Sequence, residues 1–233
     1  MSWALTALMA FLLSSSSLQG TVHAQSAPLD LPLVELPATS SSTGDLVILY
    51  SGDGGWATID RSIATSLASK GMAVVGVNSL QYFWKARTPD GASHDLERLL
   101  RYYLQSWGSE RIILVGYSRG ADVLPFLITR LPPDLLARVR LIALLGPGTR
   151  VQFEFHVSDW LSDSGSGMPI APELEKLRGR RMDCFFGIEE KDSLCKVVDD
   201  RLVKKIELRG KHHFGGDYTF LADSIRSDAR AAQ

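Results

Sequence analysis

Cysteine is scarce, neither charge sign is in excess, and no apolar run is long enough to span a bilayer. The chain has two cysteines in 233 residues, too few for a disulfide-built scaffold or a Cys-rich zinc module. Its 25 basic and 26 acidic residues leave a formal charge of −1. That balance gives no general pull towards polyanions, so nucleic acid is not an expected partner. The apolar run at residues 3–13 falls short of the ~20 residues of a spanning helix. No lysine or arginine precedes it, and no cysteine follows it closely enough for a lipid anchor. Internal repeats are absent. Two of the five histidines are adjacent, His212 and His213, with no carboxylate or cysteine set at metal-ligand spacing, so no metal or other cofactor is expected.

Behind that first run come four serines and then Val22, His23 and Ala24. The pattern reads as a signal peptide over 1–24 with cleavage after Ala24, and so as export to the periplasm of a Gram-negative cell. In an exported protein, Cys184 and Cys195 are a disulfide candidate; the alternative is two buried thiols. Residues 25–44 are rich in Ser, Thr and Pro and read as an extension with one edge strand. From 45 to 233, apolar runs alternate with amphipathic stretches. Strands are expected at 45–50, 72–77, 111–117, 139–145, 182–186 and 202–208, and helices at 58–70, 90–107, 119–131 and 217–226. This alternation predicts a mostly parallel sheet with helices on both faces. A break at 146–177, with aromatics and a Ser/Gly/Asp run, reads as a small cap insertion. Ligands of such a sheet bind beyond the C-terminal ends of its strands.

The chemistry-bearing residues fall at those ends. Ile112 to Val115 runs into Gly116-Tyr117-Ser118-Arg119-Gly120 and then a helical pattern. Gly-x-Ser-x-Gly between strand and helix is the nucleophile elbow of α/β-hydrolases, and Ser118 is its nucleophile. The loop after the first parallel strand, Ser51-Gly52-Asp53-Gly54-Gly55-Trp56, is glycine-rich enough for its backbone to approach a substrate. Oxyanion donors are assigned to the amides of Asp53 or Gly54, with that of Arg119 as partner. Glu189, Glu190 and Asp192 follow the strand at 182–186; Asp192 is favoured as the acid, by its distance past Gly187 and its nearness to Cys195. His212 and His213 follow the last strand. His213 is favoured as the base because Phe214 can pack the loop down, and His212 is the alternative. The order Ser118, Asp192, His213 is that of α/β-hydrolases.

Gly52-Asp53-Gly54-Gly55-Trp56, Gly116-Tyr117-Ser118-Arg119-Gly120-Ala121-Asp122, the 187–195 segment and His212-His213-Phe214-Gly215-Gly216-Asp217-Tyr218 together resemble the VirJ/AcvB group of bacterial virulence proteins. The resemblance covers residues 45–222, in the short form of the group. It implies a periplasmic α/β-hydrolase that acts at the membrane surface on an aminoacylated phospholipid, lysyl-phosphatidylglycerol, by cleaving the ester between lysine and lipid. Type IV secretion components are the protein partners it implies. A cationic aminoacyl group calls for carboxylates, and Asp53, Asp122 and Asp217 are candidates, with Trp56 a further substrate contact. Two other readings compete: an exported esterase of different specificity, and a hydrolase-like accessory of secretion that does no chemistry.

Overall fold

A strand with no polar face must be covered on both sides, and four strands of this chain meet that condition. The computed structural model describes residues 27–231 except 29 and 155–166. The signal-peptide expectation at 1–24 and the middle of the cap insertion, with Phe155 and Trp160, therefore lie outside the described residues. The elements in chain order are β1 (Leu33–Leu36), β2 (Asp45–Tyr50), α1 (Thr58–Ser69), β3 (Ala73–Val77), α2 (Ser79–Tyr82), α3 (Pro89–Ser106), β4 (Arg111–Tyr117), α4 (Arg119–Ile128), α5 (Pro133–Leu136) and β5 (Val139–Leu145). Then come β6 (Arg150–Val151), β7 (Met168–Pro169), α6 (Ala171–Glu175), β8 (Met182–Gly187), α7 (Leu194–Val197), β9 (Lys204–Leu208) and α8 (Tyr218–Ala231).

One sheet of seven strands has the order β1-β3-β2-β4-β5-β8-β9, and only β1 runs antiparallel to its neighbour. Every residue of β2, β3 and β8 is buried, as is all of β4 after Arg111. Alternate residues of each strand feed two separate apolar cores. One core holds Leu46, Ile48 and Leu114 against α3 and α4. The other holds Val47, Leu49 and Val115 against α1 and α8. β3 and β4 lie on opposite sides of β2, so the connections diverge there and open a crevice at the strands' C-terminal ends.

Local chemistry sets the helix boundaries. Thr88 caps α3 by accepting the Gly91 N–H at 3.0 Å, with Pro89 in the first turn. Pro132 and Pro133 end the helical pattern expected to reach residue 131; α4 stops at Ile128 and Pro133 opens the separate short helix α5. The expected excursion at 146–177 begins and ends as the β6–β7 ladder, Arg150 opposite Pro169 and Val151 opposite Met168, followed by α6.

At the far end of the sheet from the crevice, Asp183 is fully buried on β8 beside Asp228 of α8. Asp228 takes Arg181 at 3.1 Å and Lys204 at 2.5 Å. Burial, and then the adjacent Asp228 charge, push the Asp183 carboxyl up to about 7. A raised folded-state pKa gives stability that is complete below the unfolded value and is lost as pH rises through about 7. Asp183→Asn should therefore be more stable than the parent above pH 7, by roughly 2 kcal/mol. Its melting temperature should also change less between pH 5 and 8, as thermal denaturation would show.

Candidate active site

β4 delivers its last residue, Tyr117, straight into a strained turn. Ser118 has φ 53° and ψ −120°; among the described non-glycine residues only it and Phe214 have positive φ. Such a conformation costs ~1–3 kcal/mol and persists only where the surroundings enforce it. Here three hydrogen bonds do so: Ser118 N–H to Leu145 O at 2.8 Å, Gly120 N–H to Ser51 O at 3.2 Å and Asp122 N–H to Ser118 O at 3.0 Å. The flanking glycines answer to crowding. A Cβ on Gly116 would lie 2.4 Å from Gly120 O, and one on Gly120 would lie 2.2 Å from Tyr50 O. The serine thus stands half-buried at the start of α4, where Arg119 is the first helical residue. A helix leaves its first amides without internal acceptors.

The carboxylate and imidazole that meet are not the pair the spacing favours. His212 Nδ1 lies 2.6 Å from Glu190 Oε1, whereas Asp192 is exposed and makes no hydrogen bond or ion pair among the described residues. The reason is the turn after β8. The strand extends to Gly187, and Glu190 N–H closes back on Gly187 O at 3.0 Å. That turn folds the Glu190 side chain under the strand end, where Gly187 N–H donates to Oε2 at 2.7 Å. Lys196 binds the carbonyls of Ile188 and Glu190, and a Cys184–Cys195 disulfide brackets the whole turn. Glu189 is left on the exposed side.

The histidine loop comes equally close. A Cβ on Gly187 would lie 2.4 Å from Lys211 O, and one on Gly146 would lie 2.8 Å from His212 Cε1. His212 therefore rests on the end of β5, next to Leu145, which holds the Ser118 backbone. Phe214 is buried, as the expected packing of the loop requires. Its positive φ, with Gly210 and Gly215 also in the left-handed region, bends the loop so that His212 turns inward. His213 is exposed, with Nδ1 3.1 Å from the Tyr117 hydroxyl.

Burial works to raise the Glu190 pKa, but the hydrogen bonds from His212 and Gly187 outweigh it and hold the carboxyl below its usual value. Glu190 is thus a carboxylate at neutral pH, able to fix the His212 tautomer with its proton on Nδ1.

Tyr117 is a site residue that pattern reading passes over, because it occupies a variable position of the elbow. Its ring lies 5.2 Å from that of His212 at 33°, and its hydroxyl donates to His212 O at 3.3 Å. Burial keeps the phenol well above its ordinary pKa, so the donor persists. Tyr117→Phe keeps the stacked ring and loses the anchor. It should lower kcat about fivefold with little change in KM, while Tyr117→Leu should lower it further; steady-state kinetics on a soluble ester checks this.

The loop after β2 is tied to the elbow. Gly55 N–H bonds Gly52 O at 3.1 Å, and a Cβ on Gly52 would be 3.2 Å from the Ser118 Cβ. Among the described residues, the Asp53 and Gly54 amides make no hydrogen bond. The Asp53 carboxylate pairs with the Arg119 guanidinium, which also donates to Gln152 O at 2.8 Å. Arg119 therefore joins the serine elbow, the glycine loop and the base of the excursion. The ring of partly buried Trp56 fills the space above Gly76, where a Cβ would lie 2.2 Å away. Asp217 caps α8 by accepting the Phe220 N–H at 3.1 Å. Of the proposed carboxylates, half-buried Asp122 stays at the site. It accepts the Gly148 N–H at 2.7 Å and lies within electrostatic reach of Arg119 and His212. Burial pushes it up to about 7.

The family model described as bacterial virulence protein (VirJ) matches residues 44–233. The chain belongs to the VirJ family. No curated protein matches it. Among solved structures, this VirJ-family chain is similar to Est1E from Butyrivibrio proteoclasticus, with TM-score 0.62, 10% identity, and coverage of 86% of this chain and 92% of that one. It is also similar to an alpha-beta serine hydrolase homologue from Coxiella burnetii, with TM-score 0.58, 14% identity, and coverage of 84% and 90%. A proline iminopeptidase from Mycobacterium smegmatis matches with TM-score 0.58 and 10% identity over 86% and 96%. At these identities the likeness establishes the α/β-hydrolase fold for the VirJ-family chain, and its own residues must carry the chemistry.

Proposed function

We propose that this VirJ-family protein is a periplasmic serine hydrolase that cleaves the aminoacyl ester of lysyl-phosphatidylglycerol. The observation that carries hydrolysis is the Glu190–His212 pair at 2.6 Å beside a strained serine elbow. In the reaction, Ser118 Oγ attacks the aminoacyl carbonyl while His212 Nε2 takes its proton, Glu190 holding the other ring nitrogen. Among the described residues the Ser118 hydroxyl has no hydrogen bond, and its contact with His212 forms in the substrate complex. The oxyanion is received by the amides of Arg119 and of Asp53 or Gly54. His212 returns the proton to the leaving glycerol oxygen; water, activated by the same histidine, then releases lysine and frees Ser118.

Asp122 supports a cationic acyl group. It must be ionised to bind an ammonium, and its raised pKa places that change near pH 7. The KM for a lysyl ester should therefore fall as pH rises from 6 to 8, by about fivefold. Asp122→Asn should flatten that dependence, as KM–pH profiles would show. The family's description as a bacterial virulence protein supports the virulence part of the same reading; export and secretion partners are proposed with it.

The deciding assay incubates purified protein with lysyl-phosphatidylglycerol, with Ser118→Ala as control. Release of free lysine by the parent alone supports the reading. Release of fatty acid would make the protein an esterase of another specificity. Failure of a fluorophosphonate to label Ser118 in folded protein would leave the non-catalytic reading.

A further inference from the structure

Beside the glycine loop lies a cavity of about 670 Å³ that the catalytic residues do not use. Its walls include Leu31 and Pro32 from the segment before β1, and Leu80, Trp84, Lys85 and Arg87 from α2 and the stretch after it. The volume is that of a small-ligand pocket. The glycine loop links its Leu80 wall to the serine elbow. A Cβ on Gly55 would touch Leu80 Cβ at 3.5 Å, Gly55 is bonded to Gly52, and Gly52 faces Ser118.

Two chemistries share this cavity. Leu31, Pro32 and Leu80 give it apolar wall, and the Trp84 indole is 62% exposed at its edge. Lys85 is exposed and makes no hydrogen bond or ion pair among the described residues. Arg87 is spread over the Tyr82 ring at 4.5 Å, donates Nε–H to Tyr82 O at 3.2 Å and is ion-paired with Asp95 at 3.9 Å. The one acid in the lining, Asp30, is already taken by both terminal nitrogens of Arg98, at 2.6 and 3.1 Å. Lys85 therefore supplies the uncompensated positive charge at the polar edge, and the pocket is apolar elsewhere. A free phosphate uses only the first property and a neutral lipid only the second. An anionic amphiphile uses both, with its charge against Lys85 and Arg87 and its alkyl part against Leu80 and Trp84.

We propose that this pocket holds the phosphate and the first acyl methylenes of an anionic phospholipid, making Trp84, Lys85 and Arg87 the residues that select a lipid-linked ester. The link to turnover rests on the reaction proposed above; the binding itself does not. With substrate in place, the cationic acyl group lies towards Asp122 and the phosphate lies across the glycine loop. The two ends of the ligand then meet opposite charges on either side of Ser118.

The test uses the full mature chain. Ser118→Ala protein, which cannot turn over, is co-sedimented with phosphatidylglycerol vesicles and with phosphatidylcholine vesicles. Binding should be selective for phosphatidylglycerol and weakened about tenfold or more by Lys85→Glu or Trp84→Ala. Millimolar glycerol phosphate should not displace the vesicles. In the Ser118-containing protein, the same substitutions should raise KM for lysyl-phosphatidylglycerol. Hydrolysis of a soluble lysine ester and fluorophosphonate labelling should stay within twofold of the parent, which also reports an intact fold. Equal vesicle binding by the variants, equal binding of the two lipids, or displacement by glycerol phosphate overturns the pocket. Lysyl-phosphatidylglycerol hydrolysis unaltered in the variants overturns it too, while leaving the proposed reaction standing. Lipid binding that needs Lys85 and Trp84, without any hydrolysis, supports the pocket and rejects the reaction.

Discussion

His212→Ala is expected to reduce ester hydrolysis on the order of 10⁴-fold, whereas His213→Ala should leave it within about threefold of the parent. The contrast follows from one loop turning two adjacent imidazoles in different directions. His212 rests on Gly146 and is bonded to Glu190, so its free Nε2 is the one available to a substrate-engaged serine. His213 is exposed and touches the site only through the Tyr117 hydroxyl. Fluorophosphonate labelling provides a second readout, because it needs an activated serine and no substrate recognition. It should slow as severely as hydrolysis in His212→Ala and hardly at all in His213→Ala. Equal losses in both variants would mean that the loop acts as a unit and that His212 has no separate role as base.

The second large effect is expected at Glu190. Glutamine there keeps the shape, but its amide can donate to Nδ1 and so stabilise the tautomer whose proton sits on Nε2. That imidazole cannot accept the serine proton, and the imidazolium formed during attack loses its counter-charge. Glu190→Gln should lower kcat ~10³-fold or more with little change in KM. Asp192→Asn should be nearly silent, since Asp192 is exposed and has no partner among the described residues. The pH profile adds a sign. Glu190 is held below its usual carboxylate value, so its contribution should persist into acid and fall away only below the usual carboxylate range. If Asp192→Asn gave the large loss and Glu190→Gln the small one, the observed pairing would not be that of the working enzyme.

Much of this site was legible before any coordinates. The elbow announced itself because the close approach of β4, α4 and β2 leaves no room for a Cβ at Gly116 or Gly120, and a backbone constraint of that kind writes itself into the sequence. The glycine loop was legible for the same reason. The structural ties of Arg119 and Asp122 were not. Nothing in the elbow demands them, and their reasons lie with residues far off in the chain, Asp53 and Gln152 for one and Gly148 for the other. Trp56 and Asp217 looked like substrate contacts because they adjoin motif glycines and histidines. In the fold one fills the space over Gly76 and the other caps a helix.

The sequence alone thus determined the layered parallel fold, the position of the serine elbow and the two loops that face it. These depend on apolar periodicity and on steric limits between near neighbours. Only the tertiary structure decided which of three acids and which of two histidines meet. That choice depends on where the turn after Gly187 closes, and on how the buried Phe214 bends the loop that carries His212 past the end of β5. A shift of one or two residues along either loop changes little in composition or spacing. In space it separates a bonded pair at 2.6 Å from side chains left in solvent.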